Sequence, residues 1–236
     1  MPGRISKFCH NPWSGWGQIV GGLLLAVLLI AVPSPAAADG ASELEKVARQ
    51  LQETYNRTGS FRAEFSQLTT VPMSRRQREG SGTVIFRKPH QMRWEYDFPD
   101  RQVLVSDGHQ VRLYFAGSNQ MMLREVDDYL ESDVTYAFFS GTGDLLRDFS
   151  VEEVPAAEAR VTGGHLLRLV PRELHPQVEY LDLEADRETF LIRRLDIVDH
   201  FGSVTTLSFF RIELDPELPP DFHRFDPPEG TEILGQ

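Results

Sequence analysis

Cysteine is nearly absent from this chain: one stands among 236 residues, Cys9, ahead of the longest apolar stretch. A lone thiol cannot form an intrachain disulfide, and no Cys-ligated zinc site can be assembled from it. Positive charge is also scarce, with 24 Lys and Arg against 35 Asp and Glu for a formal net charge of −11. Binding phosphate needs a basic footprint, and the densest cationic run, Arg75-Arg76-Gln77-Arg78, reads as a short solvated turn. A nucleic-acid partner is therefore disfavoured. No apolar run is long enough to cross a bilayer, since the longest, Ile19 to Val32, has 14 residues against the roughly 20 that a helical span needs. Familiar catalytic signatures are missing as well: there is no Gly-x-Ser-x-Gly, no His-Glu-x-x-His and no Gly-x-x-x-x-Gly-Lys.

What the first 38 residues do contain is the pattern of a secretory signal. Arg4 and Lys7 precede the apolar run without any acidic residue, Pro33 and Pro35 follow it, and Ala36-Ala37-Ala38 supplies a small-residue exit. Cleavage near Ala38 is expected, giving a soluble exported chain of residues 39–236. That chain has no cysteine and keeps 22 Lys and Arg against 35 Asp and Glu. Cys9 lies before the apolar run, so it is not the lipid-modified first residue of a mature lipoprotein.

Ser42 with Glu45 three residues on makes a capping-box pattern, and Leu44, Val47, Ala48, Leu51 and Tyr55 recur at helical spacing until Asn56 to Gly59. The period then changes from 3.6 to 2. Phe61, Ala63 and Phe65 alternate with polar residues, Gly80-Ser81-Gly82 is expected to turn the chain, and Thr83 to Arg87 reads as the next strand. After Pro89-His90, the residues Met92, Trp94, Tyr96 and Phe98 share one face, with Arg93, Glu95 and Asp97 on the other. Asp107-Gly108 signals a two-residue hairpin between 103–106 and 109–115, setting Leu104 opposite Val111. Another arm is expected at 120–124. The segment 125–146 alternates poorly and reads as one or two short helices over the sheet. Strands resume at about 149–154, 161–170, 177–184, 189–198 and 203–214, with a last extended piece at 221–226. The expectation is one α+β domain of about eleven strands in a sequential antiparallel meander, which must curl strongly or close.

No chemistry-bearing cluster emerges from that layout. The histidines at 90, 109, 165, 175, 200 and 223 are scattered, and the pairs Asp127-Asp128 and Glu152-Glu153 are adjacent, so neither pair converges on one substrate. The unusual feature is apolar. Met92, Trp94 and Tyr96 on the inside of a curled sheet, beneath short helices bearing Ala137, Phe138 and Phe139, read in two ways. They fill a solid core, or they wall a cavity for an apolar ligand, because about eleven curled strands enclose more volume than side chains readily fill.

Several stretches carry a resemblance in their order and spacing: SFRAEFSQ (60–67), EGSGTVIFRKPHQMRWEY (79–96), VLVSDGHQVRLYF (103–115) and FDPPEG (225–230). With them the chain resembles the LolA family of periplasmic lipoprotein carriers. That resemblance implies an unclosed, strongly curved antiparallel β-barrel with an N-terminal helix and a short helical lid over an apolar cavity. It implies a monomeric, cofactor-free periplasmic protein without enzymatic activity. Its implied partners are acylated lipoproteins, an inner-membrane lipoprotein-releasing ABC transporter and an outer-membrane receptor lipoprotein. Met92, Trp94, Tyr96, Leu104, Leu113, Phe138 and Phe139 are then the expected acyl-chain cavity. Lys88 stands where the family has an arginine that latches the lid, here expected over 136–142; an ammonium lacks the guanidinium's planar fork of donors. A lipid-binding envelope-stress sensor or an outer-membrane receptor of the same fold is the alternative reading, and a secreted hydrolase a more distant one. Cys9 is misplaced for the receptor, and a sensor usually carries a further domain.

Overall fold

The computed structural model describes residues 39–72, 76–130, 143–159 and 163–235; the expected leader, 1–38, lies outside them. Helix α1 (Asp39–Arg57) opens the described chain. It begins three residues before the expected Ser42 cap. Ala48, Leu51 and Tyr55 are buried on one face, and the exposed face carries Lys46–Glu43 and Arg49–Glu45 pairs one turn apart.

Twelve strands form one sheet among the described residues. They are β1 (Ser60–Val71), β2 (Arg76–Arg87), β3 (Gln91–Phe98), β4 (Gln102–Asp107), β5 (Gln110–Phe115), β6 (Gln120–Glu125), β7 (Phe149–Glu152), β8 (His165–Pro171), β9 (Tyr180–Ala185), β10 (Ile192–Val198), β11 (Val204–Leu214) and β12 (Glu232–Leu234). Helices α2 (Val126–Leu130) and α3 (Leu145–Asp148) bound the span between β6 and β7. The sheet is curved and open, in the order β12-β6-β5-β4-β3-β2-β1-β11-β10-β9-β8-β7. It is therefore not the single sequential meander that the sequence suggests. Two meanders, β1 to β6 and β7 to β11, are stitched together by the long-range pairing of β1 with β11.

The Gly80-Ser81-Gly82 stretch is not a turn. It lies within β2, which pairs with β1 along its whole length. The glycines are needed for close approach: a Cβ on Gly82 would sit 1.8 Å from the Glu95 carbonyl oxygen, at the bulge between Ser81 and Gly82. Bulges there, between Arg62 and Glu64 and between Ile192 and Arg194 mark where the ladder bends.

The Asp107-Gly108 hairpin forms, but two residues out of the expected register. Leu104 faces Leu113 and Ser106 faces Val111, because the Asp107 carboxylate accepts the His109 and Gln110 N–H groups and moves the turn onto Gly108 and His109. Gly108 takes φ +99° to make it. A shift of two keeps every side chain on its expected face. The extended piece expected at 221–226 is likewise replaced by turns. Pro219-Pro220 and Pro227-Pro228 lack the N–H groups that a ladder requires, and the terminal strand is instead β12, which pairs parallel to β6.

The two sheet faces bury separate cores. On the inner face α1 packs with Phe61, Phe65, Val84, Phe86, Met92, Trp94, Leu167, Leu183, Leu207 and Phe209. The outer face of β4 to β6 buries Val103, Val105, Tyr114 and Met121 beneath Phe225 of the C-terminal segment.

Candidate functional site

The inner face of β3 is the natural starting point, because period-2 alternation puts Met92, Trp94 and Tyr96 side by side. Met92 is 2% exposed and Trp94 8%. Trp94 is ringed by Phe65 (centroids 4.9 Å apart), Phe86 (6.3 Å) and Phe209 (6.5 Å), supplied by β1, β2 and β11. Among the described residues its buried indole nitrogen has no hydrogen-bond partner, an unpaired donor that costs stability. Phe65, Phe86 and Phe209 belong with the stripe, yet in sequence they read only as strand residues. Their alternation was visible, but which strand lies beside which was not.

The stripe continues along the ladder rather than along the chain. Val84, Trp94, Leu104, Leu113 and Met122 stand opposite one another across β2, β3, β4, β5 and β6 and so share the inner face. Leu104 and Leu113 are half-buried, unlike Met92 and Trp94. Tyr96 is half-buried too; its ring packs edge-on against Phe65 (4.9 Å), and its hydroxyl donates to Gln67 Oε1 at 2.7 Å. Beyond that bond the face opens into a recess of about 570 Å³ lined by Gln67, Gln77, Tyr96, Phe98 and Gln102. Phe138 and Phe139, the remaining expected cavity residues, lie outside the described residues.

At the other end of the stripe stands Lys88. Its backbone N–H donates to the Gly59 carbonyl (2.9 Å) and its Nζ to the Tyr55 carbonyl (2.5 Å), in the last turn of α1. Helix carbonyls in a last turn lack intrahelical partners, so a cation is well placed there. Burial lowers the Lys88 pKa from its ordinary value, and the Asp215 carboxylate works against that. Asp215 itself accepts the Gly59 and Ser60 N–H groups at 2.8 and 2.9 Å. The Tyr55 hydroxyl accepts the Ile192 N–H (3.1 Å), and burial holds this phenol neutral by pushing its pKa well up. The helix end, the Lys88 corner and the end of β11 are thus fastened together. The expected partner of Lys88, the segment 136–142, lies outside the described residues.

Outside the sheet, a second set of contacts holds the C-terminal segment, which the sequence reading left without a role. The Arg93 guanidinium donates to the Arg224 carbonyl (3.0 Å) and pairs with Glu95 (2.8 Å), while Arg87 stacks 4.7 Å over the Phe222 ring. Burial opposes ionisation of Glu95, but hydrogen bonds from Arg101 and Arg93 win and hold its carboxyl below the usual range. The FDPPEG motif was the available signal, with Phe225 as the anchor on Tyr114 (5.1 Å). Among the described residues no group of three or more His, Cys, Asp or Glu is placed to hold a metal ion, and no helix is long and apolar enough to cross a membrane.

The chain matches known proteins along most of this framework. The sequence pattern described as "Outer membrane lipoprotein carrier protein LolA" matches residues 56–226. A protein of Nitrosomonas europaea named outer-membrane lipoprotein carrier protein is 31% identical over 212 residues, covering 90% of this chain and 96% of its own. One of the same name from Bordetella avium is 29% identical over 216 residues, covering 92% and 97%. Among solved structures, an uncharacterized conserved protein from Thermus thermophilus shares the fold at a TM-score of 0.52, with 14% identity over 82% of this chain and 99% of that one.

Proposed function

From its membership of the LolA family of outer-membrane lipoprotein carriers, to which this chain belongs, we infer that the protein takes up the acyl chains of lipoproteins and carries them across the periplasm to the outer membrane. The observation that bears most weight is the continuous apolar inner face, which runs from Phe86 and Met92 through Trp94 to the half-buried Leu104 and Leu113. Each methylene withdrawn from water contributes about 0.8 kcal/mol, so a multiply acylated protein cannot cross an aqueous space unaided. A carrier needs an apolar surface and a way to let go, and no covalent step. Affinity must then be moderate, because cargo has to leave for the next acceptor.

In this account the supplier is an inner-membrane lipoprotein-releasing ABC transporter and the acceptor an outer-membrane receptor lipoprotein, with residues 1–38 removed on export and the carrier a monomer. Met92, Trp94, Tyr96, Leu104 and Leu113, with Phe138 and Phe139, contact the acyl chains. Lys88, whose ammonium reaches the Tyr55 carbonyl at the end of α1, is the latch: it bonds the backbone of 136–142 when the cavity is empty and lets go when acyl chains enter. Reconstituting the protein with inner-membrane vesicles that carry a labelled triacylated lipoprotein, transporter and ATP tests the reading. Label should appear in the soluble fraction in complex with this protein. Label that stays on the vesicles at every carrier concentration, with the transporter active towards an established carrier, would overturn it.

A further inference from the structure

Among the described residues, the most exposed large apolar side chains are Leu174 (91% exposed) and Phe201 (83%). They stand on different loops, one between β8 and β9 and the other between β10 and β11, and those loops touch: His200 Nε2 lies 2.8 Å from the His175 carbonyl oxygen. Both apolar tips therefore project from one end of the sheet. It is the end opposite Lys88, since β11 leaves this loop pairing Val204 with Thr70, and Gly202 lies against Pro72 at the far end of β1.

Neither tip is held out by a floppy segment. The Asp199 carboxylate accepts the N–H groups of Phe201 and Ser203, both at 2.8 Å, and the Gly202 N–H donates to the Asp199 carbonyl (3.0 Å). Pro171 and Pro176 flank Leu174, with the Gln177 N–H donating to His175 Nδ1 (3.2 Å). The nearby charges are mixed: Arg76, Arg78 and Arg172 stand with Glu79, Glu173, Glu179 and Asp199. These seven sum to −1, so charge neither draws this end strongly to lipid headgroups nor strongly repels it from them.

We propose that Leu174 and Phe201 form a bilayer-dipping pair, two apolar tips that enter the headgroup–acyl boundary and hold the protein briefly at a membrane surface. Two protrusions on separate loops suit a liquid interface, which closes around each tip, better than a protein surface, which needs about 800 Å² of matched shape on each side. Two side chains bury less apolar area than one myristoyl chain, and that chain alone gives only marginal, reversible binding. Contact is accordingly transient, as a shuttling protein requires.

The test uses the empty mature protein and vesicles of phosphatidylethanolamine with a minor share of phosphatidylglycerol. Residues 39–236 have no cysteine, so Leu174→Cys and Phe201→Cys each accept a single environment-sensitive fluorophore. The exposed Glu188→Cys, in the β9–β10 turn at the other end of the sheet, is the control. Fluorescence should rise and shift to the blue on adding vesicles for labels at 174 and 201 and stay unchanged at 188. Leu174→Ser with Phe201→Ser should reduce the vesicle-bound fraction on the order of tenfold, without altering lipopeptide uptake. That last readout separates this inference from the carrier reading. Equal binding of the double variant and its parent, absence of vesicle binding by the parent, or a self-association that the serines abolish would each overturn it.

Discussion

Met92 and Leu113 share the inner face, yet they should answer differently to mutation. Met92 is fully enclosed, so Met92→Ala should cost about 2–5 kcal/mol in urea unfolding, the range for emptying a packed site. Leu113 is half-buried, so Leu113→Gln should cost only about 1 kcal/mol while lowering lipopeptide uptake several-fold. Equal losses of stability at the two positions, with uptake unchanged, would mean that the whole stripe is ordinary core. Lys88 invites a comparable test. Lys88→Leu removes the ammonium from the Tyr55 carbonyl and should speed hydrogen exchange over 52–58 in the empty protein. Lys88→Arg should retain protection. If Lys88→Leu exchanges like the parent, the contact does not hold the helix.

Elements bring a pH dependence that single residues do not. Glu95 braces Arg93, which in turn holds the Phe222 to Arg224 backbone on the outer face. The folded carboxyl lies below its unfolded value of 4.5, so the unfolded state binds the proton more tightly. The stability it contributes is fully present above pH 4.5 and is lost as pH falls through the folded pKa. Glu95→Gln should accordingly make the acid limb of the Tm–pH curve shallower below that pH, leaving the part that Asp107, Asp148, Asp186 and Asp199, also held below their ordinary range, contribute. An unchanged limb would assign the acid response elsewhere.

The same elements show what local sequence can and cannot carry. Met92 to Phe98 was legible as a strand because alternation is a local signal, and α1 was legible from its 3.6 spacing. The glycines at 80 and 82 were misread because a turn and a close backbone approach call for the same residue, and only the neighbouring Glu95 carbonyl separates the two. The β1–β11 pairing joins residues about 140 positions apart, and nothing within either strand names its partner. The trio Phe65, Phe86 and Phe209 was lost for that reason. Leu104 survived the error in hairpin register because the slip was even.

At the scale of the whole molecule, the chain's beginning and its purpose are each open to measurement. Export with cleavage near Ala38 predicts that the periplasmic protein has the intact mass of residues 39–236 and fractionates as soluble. The full-length mass in the membrane fraction would contradict it. The purpose is tested by a probe the chain already contains. Trp13 and Trp16 lie in the expected leader, which leaves Trp94 as the sole tryptophan of residues 39–236, in the middle of the inner face. Titrating the mature protein with a triacylated lipopeptide brominated on its acyl chains, a short-range quencher, reads out whether those chains reach that face. The account predicts saturable quenching of Trp94 emission by the brominated lipopeptide, relieved by the unbrominated one. Lipopeptide binding with Trp94 emission undiminished would place the acyl chains elsewhere and contradict the central claim.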